Sequence, residues 1–453
     1  MTAPVLFGTD GIRGLANRHP ITPRLALELG ALVAALFRPE GGQARVLVGR
    51  DTRLSGPMLE AALTAGLLSA GAEVISLGVV PTPAVAKLTI ERGAHAGIVL
   101  SASHNPFADN GIKIFQGNGF KCDDALERKI EERLAHPRSD EGPHPTGTGL
   151  GRITLLADAA ERYEAALLAT WPPELSLKGL KIAIDAANGA AFRTTPEVLR
   201  KLGAEVCLFH ADPDGLNINE HCGSTHPEVI EALVRQTGAH LGISHDGDAD
   251  RLICCDETGS ALDGDEILAI VGLDLLRRGA LRHRTMVATV MSNLALDELF
   301  AREGGSVRRS AVGDRAVLEE MLAHDLNFGG EQSGHIIFRD HATTGDGLLS
   351  ALQLLRVVRE SGKPLSELRQ VLRKYPQLLV NVRVRERKPF DSIPGLNPVM
   401  AAVEKELGGF GRLLLRYSGT EPKARLLIEA KDEALLPVLA ERILAPLREA
   451  IGE

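Results

Sequence analysis

Short apolar runs, polar loops and stretches of helical period follow one another along this chain in an order that repeats. The first instance begins with Arg45-Val46-Leu47-Val48, passes through a polar loop and continues as an amphipathic helix around Met58 to Ser69. Gly71 stops that helix, and Ala72-Glu73-Val74 opens a new strand. The order returns at Lys181-Ile182-Ala183-Ile184, a helix near Pro196 to Lys201, and Gly203-Ala204-Glu205-Val206. A looser third instance runs from Thr285-Met286-Val287-Ala288 through a helix near Leu296 to Arg302 to Gly304-Gly305-Ser306-Val307. Strands alternating with helices imply βαβ units, and the recurrence predicts three related α/β domains with mixed or parallel sheets.

The pattern changes after Lys363-Pro364, where a helical linker is expected. Val380, Val382 and Val384 alternate with Asn381, Arg383 and Arg385, the mark of a half-exposed antiparallel strand. A helix near Pro398 to Leu407, strands at Arg412 to Arg416 and Arg425 to Glu429, and a long helix from Glu433 complete a small C-terminal α+β domain. The expected domains are therefore 1–155, 156–255, 256–370 and 371–453, arranged around one central cleft.

That cleft follows from the loops. Each repeat supplies a second apolar strand that ends in an unusual polar loop. Ala96-Gly97-Ile98-Val99-Leu100 runs into S-A-S-H-N-P (Ser101 to Pro106), Leu241-Gly242-Ile243 into D-G-D-A-D-R (Asp246 to Arg251), and Asn327-Phe328 into G-G-E-Q-S-G-H (Gly329 to His335). Ligands of open α/β sheets bind outside the carboxyl ends of the strands, so equivalent loops from three domains can face one site.

The acidic loop carries the clearest chemistry. Asp246, Asp248 and Asp250 place like charges at every second position, a conflict that a hard divalent cation removes. A calcium loop fits in part, because Glu257 falls at the bidentate position. Arg251 stands where that loop needs glycine, and the flanking runs read as strands, which argues against an EF-hand. The plain alternative is a solvated acidic turn. In the last domain R-Y-S-G-T-E-P (Arg416 to Pro422), with Arg425 nearby, has the composition of a phosphate cradle; a generic Ser-Gly-Thr turn is its alternative.

Bulk properties narrow the partners. With 453 residues the chain divides into about three or four domains. A net charge of -8 argues against nucleic acid or a membrane surface and leaves small anionic substrates open to local basic clusters. No basic segment followed by an apolar run opens the chain, and no stretch approaches the ~18 apolar residues of a membrane span. The five cysteines lack C-x-x-C spacing and read as reduced core thiols, which argues against zinc and points to the cytoplasm.

With these motifs in place the chain resembles the α-D-phosphohexomutase superfamily, and within it the bacterial phosphoglucosamine mutases, over essentially its whole length. The matching runs are F-G-T-D-G-I-R-G (Phe7 to Gly14), G-R-D-T-R-L-S-G (Gly49 to Gly56), S-A-S-H-N-P-F-A-D-N-G-I-K (Ser101 to Lys113), D-G-D-A-D-R, V-G-D-R (Val312 to Arg315), G-G-E-Q-S-G-H, T-T-G-D-G (Thr343 to Gly347) and R-Y-S-G-T-E-P.

The resemblance implies a phosphoserine enzyme that interconverts glucosamine 6-phosphate and glucosamine 1-phosphate through a bisphosphate, supplying UDP-N-acetylglucosamine for cell-wall precursors. Phosphoglucomutase or phosphomannomutase activity is the alternative. It also implies a phosphoryl group on Ser103, one Mg²⁺ per chain held by Asp246, Asp248, Asp250 and that phosphoryl group, and glucosamine or glucose 1,6-bisphosphate as activator. Arg13, Lys113, His104 and His335 become candidates for acid, base or electrostatic clamp, with Arg251 a further cation for the charged site. Glu331, Gln332 and Ser333 match the sugar-recognition loop; relatives acting on glucose or mannose phosphates usually have methionine at the position of Gln332. Arg416, Ser418, Gly419, Thr420 and Arg425 would hold the phosphate that is not reacting. The last domain is expected to swing as a lid, and the protein to be a monomer or homodimer.

Overall fold

The computed structural model describes residues 6–8, 10–135, 145–418 and 422–453. Four sheets follow one another along the chain. The first has seven strands in the spatial order Phe7–Gly8, Gly11–Leu15, Asp109–Gln116, Ala96–Leu100, Arg45–Arg50, Glu73–Val79 and Arg152–Leu155. The second runs Ala261–Leu262, Ile253–Asp256, Leu241–Ser244, Lys181–Asp185, Glu205–Phe209, and the third Ser306–Ser310, Thr285–Thr289, Phe328–Gly330, Ile336–Phe338. The fourth is a three-stranded antiparallel sheet of Gln377–Arg383, Lys423–Ala430 and Gly411–Tyr417. Three α/β units and one α+β unit are thus present. The boundary expected after residue 255 falls inside the strand Ile253–Asp256, because Ala261–Leu262 pairs back onto it within the second sheet. Two residues are too short to show an alternation, which is why that strand left no trace in the pattern.

One arrangement recurs in the first three sheets. A buried strand that lies parallel to its neighbour leaves the sheet, makes a loop and returns antiparallel to itself. Ala96–Leu100 is parallel to Arg45–Arg50 and pairs antiparallel with Asp109–Gln116. Leu241–Ser244 does the same between Lys181–Asp185 and Ile253–Asp256, and Phe328–Gly330 between Thr285–Thr289 and Ile336–Phe338. The three polar loops singled out in the sequence are these three hairpin connections. A strand on each side also rules out the helix–loop–helix of a calcium site, and the Glu257 carboxylate is bound instead to the hydroxyl and amide of Ser366.

One apolar core draws on all of the first three units and includes Val85, Leu88, Ile184, Ile243, Ile267, Phe328 and Leu352, while each unit keeps a further cluster of its own. Continuous burial of this kind fixes the three units against one another. The fourth unit has a core of its own, built from Val382, Leu396, Leu426, Ile428, Leu439 and Ile443 among others. No helix among the described residues is long and apolar enough to cross a membrane.

Candidate active site

Ser103 occupies the first hairpin loop in a left-handed conformation, φ 53°, which is costly for a residue with a Cβ and has to be held by its surroundings. The holding groups come from elsewhere in the chain. Arg53, fully buried, donates from Nη2 to the carbonyls of Ser103 (2.9 Å) and Asn105 (2.8 Å), while its Nε bonds Asp51 at 2.8 Å. Asn219, from the second unit, donates to the same two carbonyls at 2.9 and 3.1 Å. Asp51 in turn accepts from Ser101 Oγ at 2.6 Å, and Ser101 Oγ accepts the Ser103 amide at 2.9 Å. With its backbone clamped, Ser103 directs Oγ to Asp246 Oδ2, 2.6 Å away, across the boundary between the first two units. Gly247 permits this approach, since a Cβ there would lie 2.7 Å from the Ser103 carbonyl oxygen.

Asp246, Asp248 and Asp250 are all buried, with oxygens within 4.8 Å of one another. In each residue one oxygen is tied to protein: Asp248 Oδ2 accepts from Thr82 Oγ1 at 2.7 Å and Lys113 Nζ at 2.8 Å, and Asp250 Oδ2 lies 3.4 Å from Lys113 Nζ. The other oxygen, Oδ1 in all three, is buried without a hydrogen-bond partner. Three unpaired carboxylate oxygens buried in one loop are costly unless a cation takes them, and an all-oxygen donor set suits Mg²⁺. Burial, with Asp250 and Asp248 adding to it, raises the pKa of Asp246. A proton held there must leave when a cation binds, so Mg²⁺ affinity should rise with pH through neutrality and binding should release protons. Calorimetry in buffers of different ionisation heat checks this, and a pH-independent affinity would contradict it.

A second group of potential ligands, Asp185, His210 and Cys222, behaves differently. Its carboxylate is already occupied by the amides of Ala187 and Gly223 and by His210 Nδ1, at 3.0, 2.7 and 2.9 Å. These contacts pin three loops together and leave the acidic hairpin as the better cation site.

Around the acidic hairpin the structure gathers cations. Lys113 reaches Asp10 as well as Asp248, both at 2.8 Å. Asp10 also pairs with Arg13 and Lys121, and Lys121 with Asp314. Burial alone would depress the pKa of Lys113, but Asp10, Asp248 and Asp250 outweigh it and hold the amine well above its ordinary value. Arg13 follows the same logic against Asp10, and Arg251 lies 3.9 Å from Asp246 and Asp250. His335 Nε2 accepts the Gly345 amide at 3.0 Å, leaving Nδ1 to face Asp250 at 3.6 Å. Both ring nitrogens are therefore engaged. His104 differs: its Nδ1 lies 3.3 Å from Ser103 Oγ, and burial, reinforced by Arg251 and Arg13, lowers its pKa to about 4. Its ring is neutral beside the serine.

The third hairpin is bonded to the second, through the Leu252 amide and the Gly334 carbonyl at 3.0 Å. Glu331 Oε1 accepts the Gly313 amide at 2.9 Å, and Ser333 is exposed. The Gln332 amide is turned toward the fourth unit, donating to Asp263 at 3.2 Å and to Gln377 at 3.4 Å. In the fourth sheet Arg416 and Arg425 are direct partners across antiparallel strands. Like charges so placed repel, and burial followed by Arg425 lowers the pKa of Arg416; an anion between them would relieve both effects. Ser418 is buried beside them, whereas Gly419 and Thr420 lie outside the described residues.

Several site residues carried no assigned role in the sequence. Asp10 and Arg53 sit inside quoted motifs, but only the fold shows what they hold. Thr82 and Asn219 belong to no quoted motif and act across domain boundaries.

Comparison with known proteins identifies the family of the chain. Models of the phosphoglucomutase/phosphomannomutase family match in sequence order: α/β/α domain I over residues 4–141, domain II over 161–259, domain III over 263–375 and the C-terminal domain over 379–445. A phosphoglucosamine mutase of Anaeromyxobacter dehalogenans is 49% identical over 454 residues, covering 99% of each chain. Another, of Myxococcus xanthus, is 50% identical over 99% of this chain and 97% of its own. The crystal structure of a phosphoglucomutase/phosphomannomutase family protein from Burkholderia thailandensis superposes with a TM-score of 0.81 at 26% identity, over 99% of this chain and 98% of that one. At 18% identity and a TM-score of 0.68, over 98% and 96% of the two chains, the fold is also that of Aspergillus fumigatus N-acetylphosphoglucosamine mutase, solved in complex with GlcNAc-6P and magnesium.

Proposed function

We propose, from the premise that this chain belongs to the phosphoglucosamine mutase branch of the phosphoglucomutase/phosphomannomutase family, that it interconverts glucosamine 6-phosphate and glucosamine 1-phosphate through a phosphoserine at Ser103. The observation that carries the reading is the Ser103 hydroxyl, fixed 2.6 Å from Asp246 at the edge of three unpartnered carboxylate oxygens.

In the forward direction the sugar O1 attacks the phosphorus on Ser103. The O1–P bond forms, the Oγ–P bond breaks, and the proton from O1 ends on Oγ. The resulting glucosamine 1,6-bisphosphate turns round and Ser103 Oγ attacks the 6-phosphate: the Oγ–P bond forms, the O6–P bond breaks, the Oγ proton ends on O6, and glucosamine 1-phosphate leaves the regenerated phosphoserine. Glucosamine or glucose 1,6-bisphosphate would restore an enzyme that has lost its phosphate. Such transfer asks the protein mainly for positioning and charge stabilisation. Asp246, Asp248 and Asp250 would hold Mg²⁺, which when bound acts as a Lewis acid on a phosphoryl oxygen.

Lys113, Arg13 and Arg251 stay cationic and balance the phosphoserine charge of about -1.5 to -2. Lys113 is therefore a clamp or proton donor rather than a resting base. His104, neutral and next to Oγ, is the group placed to exchange a proton with the serine oxygen.

Glu331 would pair with the 2-ammonium of glucosamine. Arg416, Ser418 and Arg425 would hold the distal phosphate, and the separate core of the fourth unit leaves it able to close as a lid that excludes water. Arg416→Ala is expected to raise KM about tenfold to a hundredfold, the value of one charge-assisted hydrogen bond, with a smaller effect on kcat. Steady-state kinetics check this, and an unchanged KM would remove Arg416 from the phosphate site. The reading as a whole is tested by coupled turnover with Mg²⁺ and catalytic bisphosphate, comparing glucosamine, glucose and mannose 6-phosphates. A clear preference for the amino sugar is expected, and comparable kcat/KM on all three would overturn the assignment.

A further inference from the structure

The segment from Thr343 to Gly347 meets the catalytic loops on one side, through Gly345, and on the other it walls a cavity of about 140 Å³. The remaining walls are the turn from Arg339 to Ala342, the helix Thr82–Glu91, contributing Ala86 and Lys87, and the helix Ala159–Leu168, contributing Tyr163 and Ala166. No residue assigned above to substrate or cation lines it. Its size matches a single ring, since an apolar cavity of about 150 Å³ accommodates benzene.

Its charge is specific too. Lys87 is half-buried in the lining and makes no ion pair with any described residue. The two carboxylates in the wall are already engaged. The Tyr163 hydroxyl lies 2.9 Å from both oxygens of Asp346, which also accepts the Leu349 amide at 2.9 Å. Asp340 is bound by Arg282 and Asn327, both at 2.6 Å. Lys87 and Asp346 attract each other without an ion-pair contact, and an ammonium with no direct partner at the edge of an apolar pocket is the complement of an organic anion.

The walls connect directly to the active site. Thr82, at the head of the helix that carries Lys87, donates to Asp248 through its hydroxyl (2.7 Å) and its amide (3.0 Å). On the other wall Gly347 donates to the Ala249 carbonyl at 3.0 Å, and Gly345 to His335. A Cβ on Gly345 would lie 2.4 Å from the His335 ring, so the backbone of that segment packs directly against the histidine.

We propose that this cavity binds a monocyclic organic acid, its ring between the two helices and its carboxylate on Lys87, and that occupancy alters turnover by displacing Thr82 and Gly345–Gly347. The binding half of this proposal is independent of the reaction assigned above.

Benzoate is the probe, followed by saturation-transfer NMR and by turnover of the intact protein. Saturable binding to the wild type is expected, weakened about tenfold by Lys87→Met through loss of one charged contact. Ala166→Phe fills the cavity and should abolish benzoate binding. Benzyl alcohol, of similar shape and no charge, should bind more weakly. Bound benzoate should change wild-type turnover about fivefold, within the usual range of coupling between sites, and leave Ala166→Phe unaffected. Absence of benzoate binding, equal binding to wild type and Lys87→Met, or binding that leaves turnover unchanged would each overturn the proposal.

Discussion

Ser103→Ala is expected to lower turnover by about four orders of magnitude or more, about 5.5 kcal/mol of lost transition-state stabilisation, because it removes the hydroxyl, 2.6 Å from Asp246, that would carry the phosphoryl group. The same variant should lose the added mass of about 80 Da that marks one phosphoryl group. The fold should survive. Arg53 and Asn219 hold residue 103 by its carbonyl and not by its side chain, and alanine keeps the Cβ that the backbone already accommodates. Circular dichroism and Mg²⁺ binding close to wild type would therefore accompany the loss of activity. Substantial turnover by a folded Ser103→Ala protein would mean that phosphate travels by another route.

Asp248→Asn has the second largest expected effect. It removes one negative unit from the cation site and exchanges a carboxylate that accepts from Lys113 (2.8 Å) and Thr82 (2.7 Å) for an amide. Lys113 retains Asp10 at 2.8 Å, so the amine stays charged and in place. The loss should therefore fall on the cation and on the charge it stabilises, about 10²–10³-fold in kcat, comparable with deleting one electrostatic donor from an active site. Mg²⁺ affinity should fall by at least about tenfold. Turnover measured across a Mg²⁺ titration separates the two effects, and a wild-type curve would remove Asp248 from the cation site.

These expectations rest on features that differ in how far the sequence discloses them. The Ser103 and Asp246–Asp250 loops are legible because each follows a short apolar strand, and their chemistry lies within a few consecutive residues. The repeat of strand, helix and glycine stop then places them on equivalent units. What holds them in place is much less legible. Arg53 and Asn219 reach the Ser103 carbonyl from 50 and 116 residues away, through side chain to backbone bonds that impose no period on the sequence. Thr82 opens a helix whose pattern reports only its buried face. The extent of the second unit escapes as well, since Ala261–Leu262 is too short to alternate. Gln332 was expected to face a sugar; it lies in the third hairpin with its amide on Asp263 and on Gln377, a neighbour contributed by the next domain. Local chemistry is written in contiguous residues; its orientation depends on contacts between units.

The most direct test of phosphoryl exchange at Ser103 is a single-turnover experiment. Protein phosphorylated with glucose 1,6-bisphosphate and freed of it is mixed with glucosamine 6-phosphate and Mg²⁺, and followed by intact mass and ³¹P NMR. Loss of about 80 Da from the protein, matched by glucosamine 1,6-bisphosphate and then glucosamine 1-phosphate, is the predicted result. A phosphoprotein that keeps its phosphate in the presence of the sugar, or releases it only as inorganic phosphate, would contradict it.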